Sequence, residues 1–154
     1  MKRILESLNE MSFDLPQGWK LCKDKYKLTN GQGFINTENY LSDDGKVISL
    51  FEIHREPDEF FDYFQNIAEG YNEKRDGMML VKQFSISAND FSFPVYILKA
   101  TKQENLFIVH VFVNCGDCLG CFIFNIDSLD DDNKKTISSN ATFSAVSQIL
   151  RTVQ

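Results

Sequence analysis

Leu106-Phe107-Ile108-Val109-His110-Val111-Phe112-Val113-Asn114-Cys115-Gly116-Asp117-Cys118-Leu119-Gly120-Cys121-Phe122-Ile123-Phe124-Asn125-Ile126 is two apolar runs separated by Gly116-Asp117. Glycine at the first central position is what a two-residue type II′ turn prefers. If the turn sits there, the pairing of the two runs is forced. Cys115 faces Cys118, Val113 faces Gly120, Val111 faces Phe122, Val109 faces Phe124 and Phe107 faces Ile126. Nearly all of these residues are apolar, and all fall on one face. A slip of one residue would scatter them, because side chains alternate between faces with a period of two. The stretch therefore reads as an antiparallel hairpin with one strongly apolar face.

The same hairpin decides how Cys115-x2-Cys118-x2-Cys121 should be read. As text, the spacing suggests zinc or an iron–sulfur cluster, with Cys22 as a fourth thiolate. On a strand pair, Cys115 and Cys118 share the core face and Cys121 points to the other. Three thiolates on two faces do not converge without a bulge. The favoured reading is buried small hydrophobic residues, with no metal ligand assigned. Cys115 and Cys118 lie within disulfide reach, and a reducing compartment keeps them as thiols.

Outward from the hairpin, two more strands are expected at Met79–Ser87 and Pro94–Thr101. Residues 34–41 and 47–54 flank Ser42-Asp43-Asp44-Gly45-Lys46, a further hairpin signal. Leu15-Pro16-Gln17-Gly18-Trp19 is a turn into an early strand over about 19–28. Residues 57–75 predict a helix that lies on a sheet. Pro57 opens it, Phe60, Phe64, Ile67 and Tyr71 form its stripe, and Lys74, Arg75 and Gly77 close it. A last helix begins near Asn140 with Phe143, Val146, Leu150 and Val153 buried. Ile4, Leu5, Leu8 and Met11 have helical spacing, which predicts a short amphipathic helix over 3–11. Asp130 to Lys135 reads as a solvated loop. Runs of strands with short turns indicate an α+β fold, with a central antiparallel sheet of about six strands flanked by helices.

The 154 residues suit a single domain over 1–154, long enough to bury a full core. Fourteen phenylalanines against one tryptophan point to core and sheet packing, since Phe brings apolar area and no polar atom. A net charge of −6 argues against nucleic acid and against anionic membrane, both of which call for a basic surface. Met1-Lys2-Arg3 is not followed by the apolar stretch of a signal peptide, and no apolar run is long enough to span a bilayer. A cytoplasmic location is the expectation.

Candidate chemistry is sparse. His54 ends a strand, and His110 lies mid-strand on the face opposite Val109 and Val111. Both read as partly exposed sheet residues, because no nucleophile accompanies them at a recognisable spacing. Gly31-Gln32-Gly33 is followed by strand, not helix, and so is a turn and no phosphate loop. Asp127, Asp130, Asp131 and Asp132 lack the spacing of a calcium loop, and the carboxylates of 56–62 are helix N-terminal charge. No catalytic, cofactor-binding or metal-binding residue is assigned, and no cofactor is expected.

Taken in order, Leu15–Trp19, Ser49–Ile53, the helix from Asp58 to Arg75, the meandering strands and the closing helix with Phe143 and Ile149-Leu150 form a pattern. Over about 13–153 it resembles the PsbP-like family, which includes an extrinsic photosystem protein, a Ran-binding nuclear import factor and bacterial DcrB-like proteins. The resemblance implies a central antiparallel sheet and non-enzymatic work with a protein partner, as adaptor or chaperone. It carries over no functional residues. Other readings are an immunity protein against a secreted toxin, and a ligand-binding or enzymatic cup near His54 or His110.

Overall fold

The computed structural model describes residues 1–22, 35–53, 78–100, 105–116, 118–127 and 140–154. In chain order its elements are β1 (Lys2–Leu5), a single 3-10 turn (Glu6–Leu8), β2 (Met11–Asp14), β3 (Trp19–Cys22), β4 (Ile35–Ser42), β5 (Val47–Ile53), β6 (Met78–Ala88), β7 (Phe91–Ala100), β8 (Phe107–Asn114), β9 (Leu119–Ile126) and α1 (Ala141–Thr152). The helix expected over 57–75, the strand residues beyond Cys22, His54, Gly31–Gly33, Asp117 and the loop around Asp130 lie outside the described residues.

The β8–β9 hairpin has the register its turn forces. Phe107 pairs with Ile126, Val109 with Phe124, Val111 with Phe122 and Val113 with Gly120. The Cys115 N–H donates to the Cys118 carbonyl at 3.0 Å, and Gly116 has a φ of 96°, where glycine carries no steric penalty. This hairpin is the middle of a seven-stranded antiparallel sheet in the order β3-β4-β5-β9-β8-β7-β6. The chain leaves β5 near the centre, re-enters at the far edge as β6, and meanders back until β9 pairs with β5.

The sheet therefore has one strand more than the six expected, and β1 and β2 form a second, two-stranded sheet. The short helix expected over 3–11 is replaced by this ribbon. Asn9 and Glu10 have φ of 55° and 58° and reverse the chain. Met11, Phe13 and Leu15 are buried on every second residue, while Ile4, placed on the supposed helical stripe, is 59% exposed. The period-two run from Met11 to Leu15 outweighs the weaker helical spacing before it. Strand β7 also begins three residues earlier than expected, at Phe91. Pro94 is accommodated because pairing of β7 with β8 starts only at Val95, so no ladder bond is lost at its missing N–H.

One sheet face carries the larger core. Leu50, Val95, Ile97, Val109, Val111, Phe122 and Phe124 meet the ribbon's Leu5, Leu8, Met11 and Phe13 and the helix residues Phe143, Val146 and Ile149. The Phe13 ring stands edge-on to Tyr40 at 5.8 Å and to Phe122 at 5.6 Å. Helix α1 starts where expected. The Asn140 side chain accepts from the Thr142 and Phe143 N–H groups at 3.0 and 3.1 Å, an N-cap. Its far end ties back to the ribbon: Ser12 and Gln154 exchange both backbone hydrogen bonds, and the Asp14 N–H donates to Thr152 Oγ1.

Leu8, at the ribbon turn, packs over Gly120 of the sheet. A Cβ added there would stand 3.5 Å from Leu8 Cδ1 and 3.8 Å from Leu50 Cδ1 and Val113 Cβ, ordinary contact for one methyl group. Gly120→Ala is therefore expected to change stability little. Gly120→Leu is expected to overpack the site and cost about 1–3 kcal/mol. Urea denaturation of the two variants checks this.

Candidate functional site

The opposite sheet face carries a second cluster: Phe51, Ile53, Tyr96, Leu98, Phe112, Leu119 and Cys121, flanked by Leu80, Ile108 and Ile123. His110 lies in it, paired across the strands with Tyr96 on one side and Ile123 on the other. Its ring stands edge-on to Phe112 at 6.3 Å, and Tyr96 stacks edge-on to the same ring at 5.6 Å. The expectation of a partly exposed histidine is corrected here, because His110 is only 6% exposed. Alternation put it on the face away from Val109, and that face is itself apolar and covered. Burial lowers the imidazole pKa from 6.5 to about 4, which makes His110 a neutral ring at physiological pH.

The cysteines divide between the faces as the hairpin requires. Cys115 and Cys118 belong with the larger core, and Cys121, fully buried, sits in the second cluster opposite Phe112. Burial pushes the Cys121 thiol well above its ordinary range, so it is a packing group and not a nucleophile. On the other face, Cys115 Sγ lies 3.9 Å from Met11 Sδ and 3.7 Å from the Val113 carbonyl, and Cys118 Sγ lies 3.8 Å from the Ser7 carbonyl. The three-thiol set suggested by the spacing is not brought together. Among the described residues no three His, Cys, Asp or Glu side chains cluster as metal ligands.

Two polar groupings had no signature in the sequence. Arg3 forms a bidentate pair with Glu38, with contacts of 3.2 and 2.5 Å, and the buried Tyr40 hydroxyl donates to Glu38 at 3.1 Å. Burial, helped by the Glu38 charge, raises the Tyr40 phenol well above its ordinary range, so it stays a proton donor. Beside the bulge between Asn36 and Glu38, the Asn36 and Asn39 amides bond reciprocally at 3.1 and 2.8 Å, and Asn36 also donates to the Leu50 carbonyl at 3.1 Å. Both groupings hold structure: one seats the ribbon on the sheet, the other fixes the bulge. Neither was legible, because each joins residues whose proximity depends on register and docking.

Two surface features remain. A cleft of about 220 Å³ lies where the ribbon turn meets the end of β8, lined by Leu8, Met11, Phe91, Phe93, Val113 and Cys115 among others. Phe91 is 55% exposed beside it. The second feature is the outer edge of β6. Asn89 and Asp90 both have positive φ, the mark of a two-residue type I′ hairpin, so Ala88 and Phe91 are a hydrogen-bonded pair. By alternation, Gln83, Ser85 and Ser87 then turn their backbone N–H and C=O groups away from β7. Among the described residues no strand pairs with that edge.

No family model and no curated relative matches the chain. Among solved structures, the fold is similar to that of cyanobacterial PsbP (CyanoP) from Synechocystis sp. PCC 6803, determined in solution. The TM-score is 0.61 at 10% identity, over 100% of this chain and 91% of that one. The likeness places the architecture with the PsbP-like folds. Among the described residues, no helix is long and apolar enough to cross a membrane.

The His110 environment sets a pH dependence with a definite sign. Between pH 6.5 and about 4 the unfolded chain binds a proton at this position that the folded protein refuses. The His110 contribution to stability is therefore complete above pH 6.5 and is lost as the pH falls towards 4, by up to about 3 kcal/mol. His110→Leu is expected to flatten that part of the profile. Denaturant unfolding of both proteins at pH 7 and pH 4.5 measures the difference. Thiol labelling is a second check: Cys22 and Cys115, both partly exposed, should react in the native protein, and Cys118 and Cys121 only on unfolding.

Proposed function

We propose that this domain is a non-catalytic protein-binding module of the adaptor or chaperone class, and that it engages a partner segment by adding it as a strand to β6. The observation that carries the reading is the outer edge of that strand. It runs eleven residues from Met78 to Ala88, and Lys82 is its single charged residue. Exposed edges are ordinarily blunted by brevity, charge or proline. The opposite edge strand, β3, carries the charged Lys20 among its four described residues. On β6 the irregularity is a bulge at Val81, and beyond it the stretch from Gln83 to Ala88 is uncharged.

The chemistry of such an edge specifies an extended segment. Main-chain bonds to Gln83, Ser85 and Ser87 give affinity, and alternate side chains give selectivity. On the core side, a partner's residues would continue the half-buried row of Phe84, Ile86 and Ala88 beside α1. On the other side they would meet exposed Gln83, Ser85 and Ser87. The titratable groups add support: His110 is neutral and Cys121 protonated at physiological pH, both packed among aromatic and aliphatic side chains.

Hydrogen exchange tests the reading residue by residue. In the isolated domain the amides of Gln83, Ser85 and Ser87 are expected to exchange about a hundredfold faster than those of Phe84 and Ile86. In complex with a partner captured through a photo-crosslinker at Gln83, they are expected to slow. Ser85→Pro removes an outward N–H without touching a β6–β7 ladder bond, and is expected to abolish capture while leaving the fold intact. Capture that survives Ser85→Pro, or slow exchange of all five amides in the isolated domain, would sink the proposal.

A further inference from the structure

Two sulfur atoms, of Met11 and Cys115, meet at the end of the β8–β9 hairpin, and Cys118 lies across the turn from Cys115. Cys115 and Cys118 are partners in a hydrogen-bonded pair, so their side chains leave the backbone on the same face, with Cβ atoms about 5 Å apart. Met11 opens β2, and its Sδ is 3.9 Å from Cys115 Sγ. Two sulfurs at that separation, each about 2.3 Å from a shared ion, subtend about 116° at it, close to the trigonal value. Cys118 Sγ lies 3.8 Å from the Ser7 carbonyl, and a rotation about its first side-chain torsion would turn it towards the third position.

We propose that Met11, Cys115 and Cys118 form a binding site for a soft monovalent ion, Cu(I). The donor set selects the metal class. Two thiolates and a thioether suit a soft d10 ion, whereas Ca(II) and Mg(II) call for oxygen. Zn(II) takes thiolate, imidazole and carboxylate ligands, so a set that includes the Met11 thioether selects against it. The cleft that Met11 and Cys115 line gives the ion a route from solvent, past Asn9, Asn114 and Gln154 at its polar part and Leu8, Val113 and Phe93 at its apolar part. The site differs from the three-cysteine set suggested by the spacing: it replaces Cys121 with a methionine that only the ribbon's fold brings into reach. Binding is ligand exchange without change of oxidation state. Both thiols release their protons to solvent, two Cu–thiolate bonds and one Cu–thioether bond form, and the ion leaves its previous ligands.

The test uses the full chain, reduced and held without oxygen, titrated with Cu(I) in the presence of a chromophoric Cu(I) chelator. One equivalent withdrawn from the chelator is the expected result, with X-ray absorption showing three sulfur neighbours. Met11→Leu preserves volume and is expected to weaken binding roughly tenfold, and Cys115→Ser, at a partly exposed position, roughly a hundredfold or more. Cys121→Ala is expected to bind as the parent does. The circular dichroism of each variant establishes that it is folded. No withdrawal of Cu(I), binding that survives Cys115→Ser, loss of binding in a folded Cys121→Ala, or an absorption spectrum with nitrogen or oxygen neighbours would each overturn the assignment. The β6 edge takes no part in this experiment, so the two proposals stand or fall separately.

Discussion

The pairing of Val113 with Gly120 depends on a turn that admits only two residues, and that restriction sets the parity of both strands. With parity fixed, Val109, Val111, Phe122 and Phe124 can only face the ribbon and helix, and His110, Phe112 and Cys121 can only face the other way. Gly120 then lies opposite Val113 without a side chain, and Leu8 drops into the space. Further along the ribbon, the Arg3–Glu38 pair and the Phe13 ring, which face each other across β1 and β2, hold it beside Tyr40. Strand β5 joins the outer edge of β9 in a register continuous with this one, Leu50 opposite Phe122 and Phe51 opposite Cys121, so the two-faced arrangement extends across the sheet.

Much of this was legible in the sequence because strand periodicity is local. The 106–126 pairing, the 35–53 hairpin, the turn at Pro16–Trp19 and the capped helix from Asn140 all follow from residues near one another in the chain. The ribbon was misread for a related reason. Ile4, Leu5, Leu8 and Met11 satisfy a helical period over one short window, and the alternation that decides the matter, Met11 to Leu15, straddles its end. Short windows cannot separate the two periods when a turn such as Asn9-Glu10 has no glycine or proline to mark it.

The candidate sites were less legible, for a different reason. Alternation places His110 and Cys121 on a face but does not say whether that face meets solvent. A sheet covered on one side has a polar outer face, and a sheet covered on both sides has none. The residues around His110, namely Phe112, Tyr96 and Ile123, carry the answer, but only once β7, β8 and β9 are known to be neighbours. The Met11–Cys115 contact is further out of reach, since it joins positions 11 and 115 through the docking of a separate ribbon.

The backbone exchange between Ser12 and Gln154 bears on how the molecule is made. A chain emerging from the ribosome presents Ser12 before any strand of the large sheet and Gln154 only after all of them. Strands β6 to β9 can zip together as local hairpins while synthesis continues, but the outer edge of β2 stays open until the segment after α1 arrives. Closure of the ribbon is thus a late, long-range event in folding, and non-local pairing of this kind is slow. During that interval the apolar residues beneath the ribbon, Val113 and Phe122 among them, wait for Leu8 and Phe13 to cover them.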